Sequence, residues 1–261
     1  MKIAFAALMI FLMACNGTGN KETISMTGAY KMLSVRVKSD STDTTYTNSN
    51  QLKIYTGEYM MYANINSPDS VSGFGIGSYT VDKDTVTENV IYNANDSVSN
   101  DNPGTFKLKV DKTDKGYKQL ITGMEMTPGQ KFDLNESYES VGTGDSTALD
   151  GAWKMVKTYW VKGTDTSYST GTEFKTYFSG YVIWGHTYKD SLNKTHTGIG
   201  FGKFTLTGNK VKESMSASTY SEVRGHDFDI DIEMSGSDGF TQTMNNADSS
   251  RSVEMYERLK K

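Results

Sequence analysis

The sequence predicts an all-β protein made of two tandem antiparallel barrels, on three observations. The first is an ordered internal repeat. Gly28-Ala29-Tyr30-Lys31-Met32 returns as Gly151-Ala152-Trp153-Lys154-Met155, and further segment pairs follow in the same order. Gly75-Ile76-Gly77 matches Gly200-Phe201-Gly202, and Gly116-Tyr117-Lys118-Gln119 matches Gly239-Phe240-Thr241-Gln242. Glu136-Ser137-Tyr138-Glu139 matches Glu254-Met255-Tyr256-Glu257. The offsets stay between 118 and 125 residues, the length of a duplicated domain and far too long for a solenoid unit. The second observation is a series of short runs in which Thr, Val, Ile and Tyr alternate with polar residues between Gly/Asn/Asp/Ser clusters, the pattern of strands and turns. The third is that no window of helical length holds a 3.6-residue period.

The chain begins with a separate device. Met1-Lys2 is positive, Ile3 to Ala14 is an apolar run of 12 residues, and Cys15 follows. A bilayer span needs about 20 apolar residues, so residues 1–15 read as an export signal instead. Leu12-Met13-Ala14-Cys15 resembles the bacterial lipobox, whose cysteine carries acyl chains (diacylglycerol, palmitate-type) at the start of the mature protein. The resemblance implies a membrane partner reached through lipid on Cys15, each buried CH₂ contributing about 0.8 kcal/mol. Cys15 is the only cysteine, so neither domain has an internal disulfide and both must be held by packing. Residues 16–25 form a polar tether.

The first domain covers 26–141. Strands are expected at Ala29–Val37, Tyr46–Tyr55, Glu58–Ile65, Gly75–Val81, Thr85–Tyr92, Thr105–Val110, Tyr117–Met124 and Lys131–Tyr138, with Asn93–Gly104 as a polar connection. Residues 142–147 are a short polar linker. The second domain covers 148–261. Its strands are expected at Trp153–Val161, Glu173–Tyr177, Tyr181–His186, Gly200–Leu206, Lys210–Ala217, Phe228–Glu233, Phe240–Met244 and Ser252–Leu259. Gly163–Thr172 and Tyr188–Thr197 are expected loops. In the first of these strands, strict alternation puts Trp153, Met155, Lys157, Tyr159 and Val161 on one face and Trp160 on the other.

Gly151-Ala152-Trp153, followed by Phe174-Lys175-Thr176-Tyr177-Phe178-Ser179-Gly180-Tyr181-Val182-Ile183-Trp184, resembles the lipocalin-like domains of Bacteroidetes lipoproteins. The first domain keeps the glycine and carries Tyr30 in place of the tryptophan. The resemblance implies lipocalin-like β-barrels, with Trp153 and Tyr30 plugging the closed ends as structural residues. It also implies a bacterial cell envelope address, lipid-anchored at the outer membrane. The tether lacks the acidic cluster of surface-exported relatives, so the periplasmic and surface faces both stay open.

Candidate ligand-binding residues are Trp160 and Trp184 in the second domain and Tyr59, Met60 and Tyr62 in the first, since aromatics with a few polar groups suit a mostly apolar pocket. The competing expectation is a solid barrel filled by these same side chains. His186, His196 and His226 are spaced too loosely to predict a metal site. Asp229, Asp231 and Glu233 alternate with Phe228, Ile230 and Ile232, as on the wet face of a half-buried strand. No nucleophile elbow occurs, and Cys15 is committed to lipid. The sequence therefore predicts no catalytic residue, cofactor or metal. A formal net charge of −4 with interleaved lysines gives no support to a nucleic-acid partner. Function is expected to be non-enzymatic: an envelope lipoprotein binding a small hydrophobic or amphiphilic ligand in a barrel. The alternative is a structural or interaction lipoprotein with filled barrels and an envelope-protein partner. Convergent carboxylates in a cleft would instead favour a hydrolase.

Overall fold

A computed structural model describes residues 23–47, 50–65, 72–95, 98–127 and 129–261. The export signal, Cys15 and most of the tether lie outside the described residues. β1 (Gly28–Lys38) pairs at its start with β3 (Gln51–Tyr55) and at its end with the short β2 (Asp43–Tyr46). The chain then runs antiparallel, neighbour to neighbour, through β4 (Tyr59–Asn64), β5 (Gly73–Asp82), β6 (Thr85–Asn95), β7 (Ser99–Thr113), β8 (Gly116–Thr127) and β9 (Gln130–Ser140). β9 returns to β1 and closes the barrel, which removes its free edges. The second barrel repeats this path through β10 (Gly151–Lys162), β11 (Asp165–Ser169), β12 (Thr172–Phe178), β13 (Tyr181–Lys189), β14 (Thr195–Thr207), β15 (Lys210–Ser218), β16 (Asp227–Met234), β17 (Gly239–Asn245) and β18 (Arg251–Arg258). β18 closes on β10. The fold is all-β, two closed eight-strand antiparallel barrels in tandem, and β2 and β11 occupy the same flanking position in each.

Four expectations about strands and loops are corrected. Tyr46–Tyr55 is not one strand, because β2 ends at Tyr46 and β3 starts at Gln51. Most of Asn93–Gly104 is strand, since β6 runs to Asn95 and β7 starts at Ser99. Gly163–Thr172 contains β11, and the Tyr188–Thr197 loop shrinks to residues 190–194. Ladder pairing extended these strands through polar residues whose composition alone reads as turn.

Register breaks recur in both copies. β1 slips against β9 between Met32 and Ser34, and β10 slips against β18 between Met155 and Lys157. The extra residues, Leu33 and Val156, are exposed. An added residue reverses every later side chain on its strand. Trp160, expected opposite Trp153, therefore falls on Trp153's side of the strand, where it lines a cavity while staying 47% exposed. A second repeated break lies at Gly77 and at Gly202. A Cβ on Gly202 would stand 2.1 Å from the Ser214 carbonyl oxygen, and one on Gly77 would stand 2.2 Å from the Asn89 carbonyl oxygen. Neither backbone can swing aside as a side chain would. Gly202→Ala should cost about 1–3 kcal/mol, the scale of an overpacked site. Thermal unfolding measures it, and an unchanged midpoint would show that the bulge absorbs a methyl group.

The barrels share an apolar interface built from the outer faces of β3–β6 and β12–β15. Leu52, Ile54, Met61, Phe74 and Ile76 pack with Phe174, Ile183, Ile199 and Phe201. Tyr92 hydroxyl meets Thr187 Oγ1 at 2.5 Å, and Thr197 Oγ1 donates to the Asn95 carbonyl at 2.6 Å. Corresponding strands of the two copies meet, β3 with β12, β4 with β13 and β5 with β14, as across a two-fold dimer. The linker is tied into this contact, with Thr143 N–H donating to the Ser179 carbonyl at 2.9 Å. β3 and β12 are consequently buried on both faces, which shapes the site.

Candidate functional site

β12 shows why the site forms where it does. Phe174 and Thr176 point into the inter-barrel contact, so alternation sends Glu173, Lys175 and Tyr177 into the barrel. Lys175 is 3% exposed. An isolated buried ammonium is very unfavourable, so it must be paired. Its Nζ lies 3.4 Å from Glu213 Oε1 and donates to Gln242 Oε1 at 3.0 Å. Tyr177 hydroxyl also donates to Glu213. Gln242 Nε2 passes the network to Glu254 Oε2 at 2.5 Å, and Tyr256 hydroxyl lies 2.7 Å from the same oxygen and 2.5 Å from Glu173 Oε1. His186 Nδ1 approaches Glu173 Oε2 at 3.4 Å, while its Nε2 meets Tyr220 hydroxyl at 2.7 Å.

The first barrel carries the same wiring. Lys53 Nζ pairs with Glu88 Oε1 at 2.7 Å, and Tyr55 hydroxyl donates to Glu88. Gln119 Nε2 donates to Glu136, which also accepts from Tyr138 hydroxyl at 2.9 Å. Two polar positions beside the cluster distinguish the copies. Gln51 stands where the second barrel has Glu173, and Asn64 where it has His186, as the matching pairs Gln51–Asn64 and Glu173–His186 show. Gln51 donates to Tyr138 hydroxyl at 2.7 Å, whereas Glu173 accepts from Tyr256. Gln119 Oε1 is buried with no partner among the described residues.

The electrostatics follow from burial. Desolvation pushes the Glu254 carboxyl up to about 7, with the neighbouring Glu173 adding to the rise. Burial likewise raises Glu136 in the first barrel. Burial opposes the charged form of Glu173 too, but the His186 hydrogen bond and Lys175 outweigh it and hold that carboxyl below its ordinary value. Burial works against the Lys175 ammonium, yet Glu213, Glu254 and Glu173 together raise it.

A cavity of about 410 Å³ opens directly above the second cluster. Trp160, Trp184, Met215, Phe228, Ile230 and Met244 form its apolar wall, over Lys175, Glu213, Gln242 and Glu254. Glycines in β14 make room for the rings, since a Cβ on Gly200 would fall 2.4 Å from the Trp184 indole and one on Gly198 would fall 2.2 Å from His186 Nε2. Trp184 then stacks on Tyr220 at a centroid distance of 6.2 Å. The first barrel's cavity is about 180 Å³ and holds Tyr62 over Lys53, Glu88, Gln119 and Glu136. A wider cleft of about 540 Å³, lined in part by Lys31, Lys203 and His226, lies outside both barrels and contains no buried ion cluster.

The structure brings together Trp160 and Trp184, and it places Tyr62 at the equivalent cavity. Met60 is inside the first barrel, packed in its interior with Tyr30 and Tyr55. Tyr59 points the opposite way, into the inter-barrel cluster, because neighbours on a strand cannot share a face. Trp153 is fully buried, donates from Nε1 to the Leu149 carbonyl at 2.8 Å, and lies under the Arg258 guanidinium at 4.0 Å. Tyr30 takes the same position against Tyr117 and hydrogen-bonds Lys112 at 3.2 Å. His196 pairs with Asp190 at 2.8 Å and stacks on Tyr188, which His186 also touches edge-on. Among the described residues, no group of His, Cys, Asp or Glu has metal-holding geometry. Asp231 pairs outside with Lys210 at 2.5 Å, so the convergent carboxylates are not those near Asp227 but Glu173, Glu213 and Glu254.

The ion clusters leave no mark on strand patterning. Their signal is in the repeat itself, since Lys53/Lys175, Glu88/Glu213, Gln119/Gln242 and Glu136/Glu254 recur at the domain offset. Charged residues kept through a divergence that changed most others merit attention when they fall on inward strand positions.

No protein-family model matches the chain, and no curated protein matches it in sequence. Among solved structures it is similar to a protein of unknown function from the DUF3598 family of Nostoc punctiforme, at 11% identity and a TM-score of 0.27, over 90% of this chain and 96% of that one.

Proposed function

We propose that this is a non-enzymatic, lipid-anchored envelope protein of the Bacteroidetes type whose second barrel binds a small amphiphilic ligand. The observation that carries the binding reading is the aromatic-walled cavity of about 410 Å³ set over a buried, hydrogen-bonded ion cluster. Ligand sites have this composition: mostly apolar walls with a few placed polar groups. The anchoring part rests on Leu12-Met13-Ala14-Cys15 and on the apolar run before it.

Native mass spectrometry of the chain lacking Cys15, purified from its own host envelope, tests the reading. A co-purifying small molecule supports it. A retained protein partner without a small molecule would favour the interaction reading, which the exposed Tyr168 and Leu192 also serve. A hydrolytic reading draws on the opposed shifts of Glu173 and Glu254, the arrangement that separates a base from an acid. In that case the ligand would be recovered cleaved.

A fluorescence assay gives a residue-level prediction. Uptake of N-phenyl-1-naphthylamine should weaken about tenfold in Trp184→Ala, the scale of losing one aromatic contact and its buried area. The Tyr62→Ala change in the smaller first cavity should leave uptake nearly unchanged. Equal uptake by Trp184→Ala and the parent would place the probe elsewhere.

A further inference from the structure

We propose that the second barrel's open end selects an organic cation, an ammonium group carried on a short apolar body. The inference rests on the binding reading above and adds the sign of the ligand's charge. Three carboxylates, Glu173, Glu213 and Glu254, face the cavity against one ammonium, Lys175. The other titratable groups there are His186 and Tyr220 at the mouth, Glu222 beside them, and Tyr177 and Tyr256 beneath. Lys175 is already engaged by Glu213 and Gln242, so its charge is offset before any anion arrives. The walls agree with the charge balance, because indole and phenol faces attract cations.

The comparison between barrels points the same way. The first barrel has Gln51 where the second has Glu173, leaving two carboxylates against Lys53 over a cavity less than half the size. The second copy thus combines more room, an indole in place of Tyr62, and one more carboxylate, Glu173, with the His186 imidazole beside it. The raised carboxyl of Glu254 fits a surplus of negative charge that a proton offsets when no cation is bound. A bound ammonium would displace that proton.

The test uses the intact chain and three probes of one length: octylammonium, 1-octanol and octanoate, titrated calorimetrically at pH 8. Octylammonium should bind at least about tenfold more tightly than 1-octanol, as a partly desolvated charge contact allows, and octanoate should bind most weakly. Octylammonium binding should release protons near pH 7 and weaken as the pH falls below it. Glu173→Gln should lower octylammonium affinity about tenfold and leave 1-octanol unchanged. If that variant fails to fold, the charge series on the parent protein decides alone. Equal binding of octylammonium and 1-octanol, or tightest binding of octanoate, overturns the cation assignment while the binding reading stands. Uptake of N-phenyl-1-naphthylamine without octylammonium binding overturns it in the same way. If neither N-phenyl-1-naphthylamine nor any of the three is taken up, the binding reading itself falls and the cation assignment with it.

Discussion

Lys175→Met will destabilise the protein by about 3–5 kcal/mol near neutral pH, the cost of breaking a buried ion pair from one side. The methionine keeps the apolar stem of the lysine, which runs between the Tyr177 and Tyr256 rings with Nζ 5.7 and 5.5 Å from their centroids. What disappears is the charge. Glu213 is left in a site 3% exposed with only the Tyr177 hydroxyl, and Gln242 Oε1 loses its donor. The sign with pH is fixed. Burial alone would lower the lysine, but Glu213, Glu254 and Glu173 raise it above its unfolded value. Its contribution is therefore fully present at neutral pH and is lost only as pH rises through the folded value. Urea unfolding at pH 7.5 measures the loss. The double change Lys175→Met with Glu213→Gln should recover most of it, because an uncharged pair leaves no buried charge without a counter-charge. A loss below about 1 kcal/mol in the single variant would mean that Lys175 and Glu213 do not form a buried ion pair in solution.

Much of the architecture is readable from residue order, because duplication writes the same strand series twice. Gly28/Gly151, Gly77/Gly202 and Tyr138/Tyr256 mark equivalent places in two barrels without any knowledge of pairing. What escapes is whatever depends on the ladder. The bulge at Val156 has no compositional signature, yet it puts Trp160 on the cavity side of β10. β11 is all exposed, so no apolar alternation announces it. The inter-barrel contact hides for another reason. β12 carries Glu173 and Lys175 among Phe174, Thr176 and Tyr177, which reads as a half-wet strand. Both faces are in fact buried, one against a second barrel and the other around an ion pair. Charge, ordinarily a mark of solvent, here marks a lined cavity.

Glu254→Gln should make the protein more stable at pH 8, by up to about 3 kcal/mol, and leave it nearly unchanged below pH 4.5. The folded carboxyl sits at about 7 against an ordinary 4.5, chiefly through burial. Between those values the folded state binds more protons than the unfolded one. Stability therefore falls as pH rises through that window, at about 1.4 kcal/mol per unit for one such group. Glutamine keeps an oxygen to accept from Gln242 Nε2 and from Tyr256 hydroxyl, now 2.5 and 2.7 Å from Glu254 Oε2, and it has no charge to desolvate. Glu173 acts in the other direction. Its lowered carboxyl contributes stability above the unfolded value, and that contribution is lost as pH falls through the folded one. The parent protein should then be most stable in mildly acidic solution, while Glu254→Gln loses much of the alkaline decline. Glu136, also raised by burial, keeps a residual slope that Glu136→Gln with Glu254→Gln should remove. Chemical denaturation at half-unit steps from pH 4.5 to 8.5 resolves these slopes, and parallel curves for parent and variant would show that Glu254 is ionised throughout. The same substitution should weaken octylammonium binding at pH 8. A carboxylate that costs folding energy when the cavity is empty is the group a cationic ligand would stabilise, so the gain in stability and the loss of affinity should appear together.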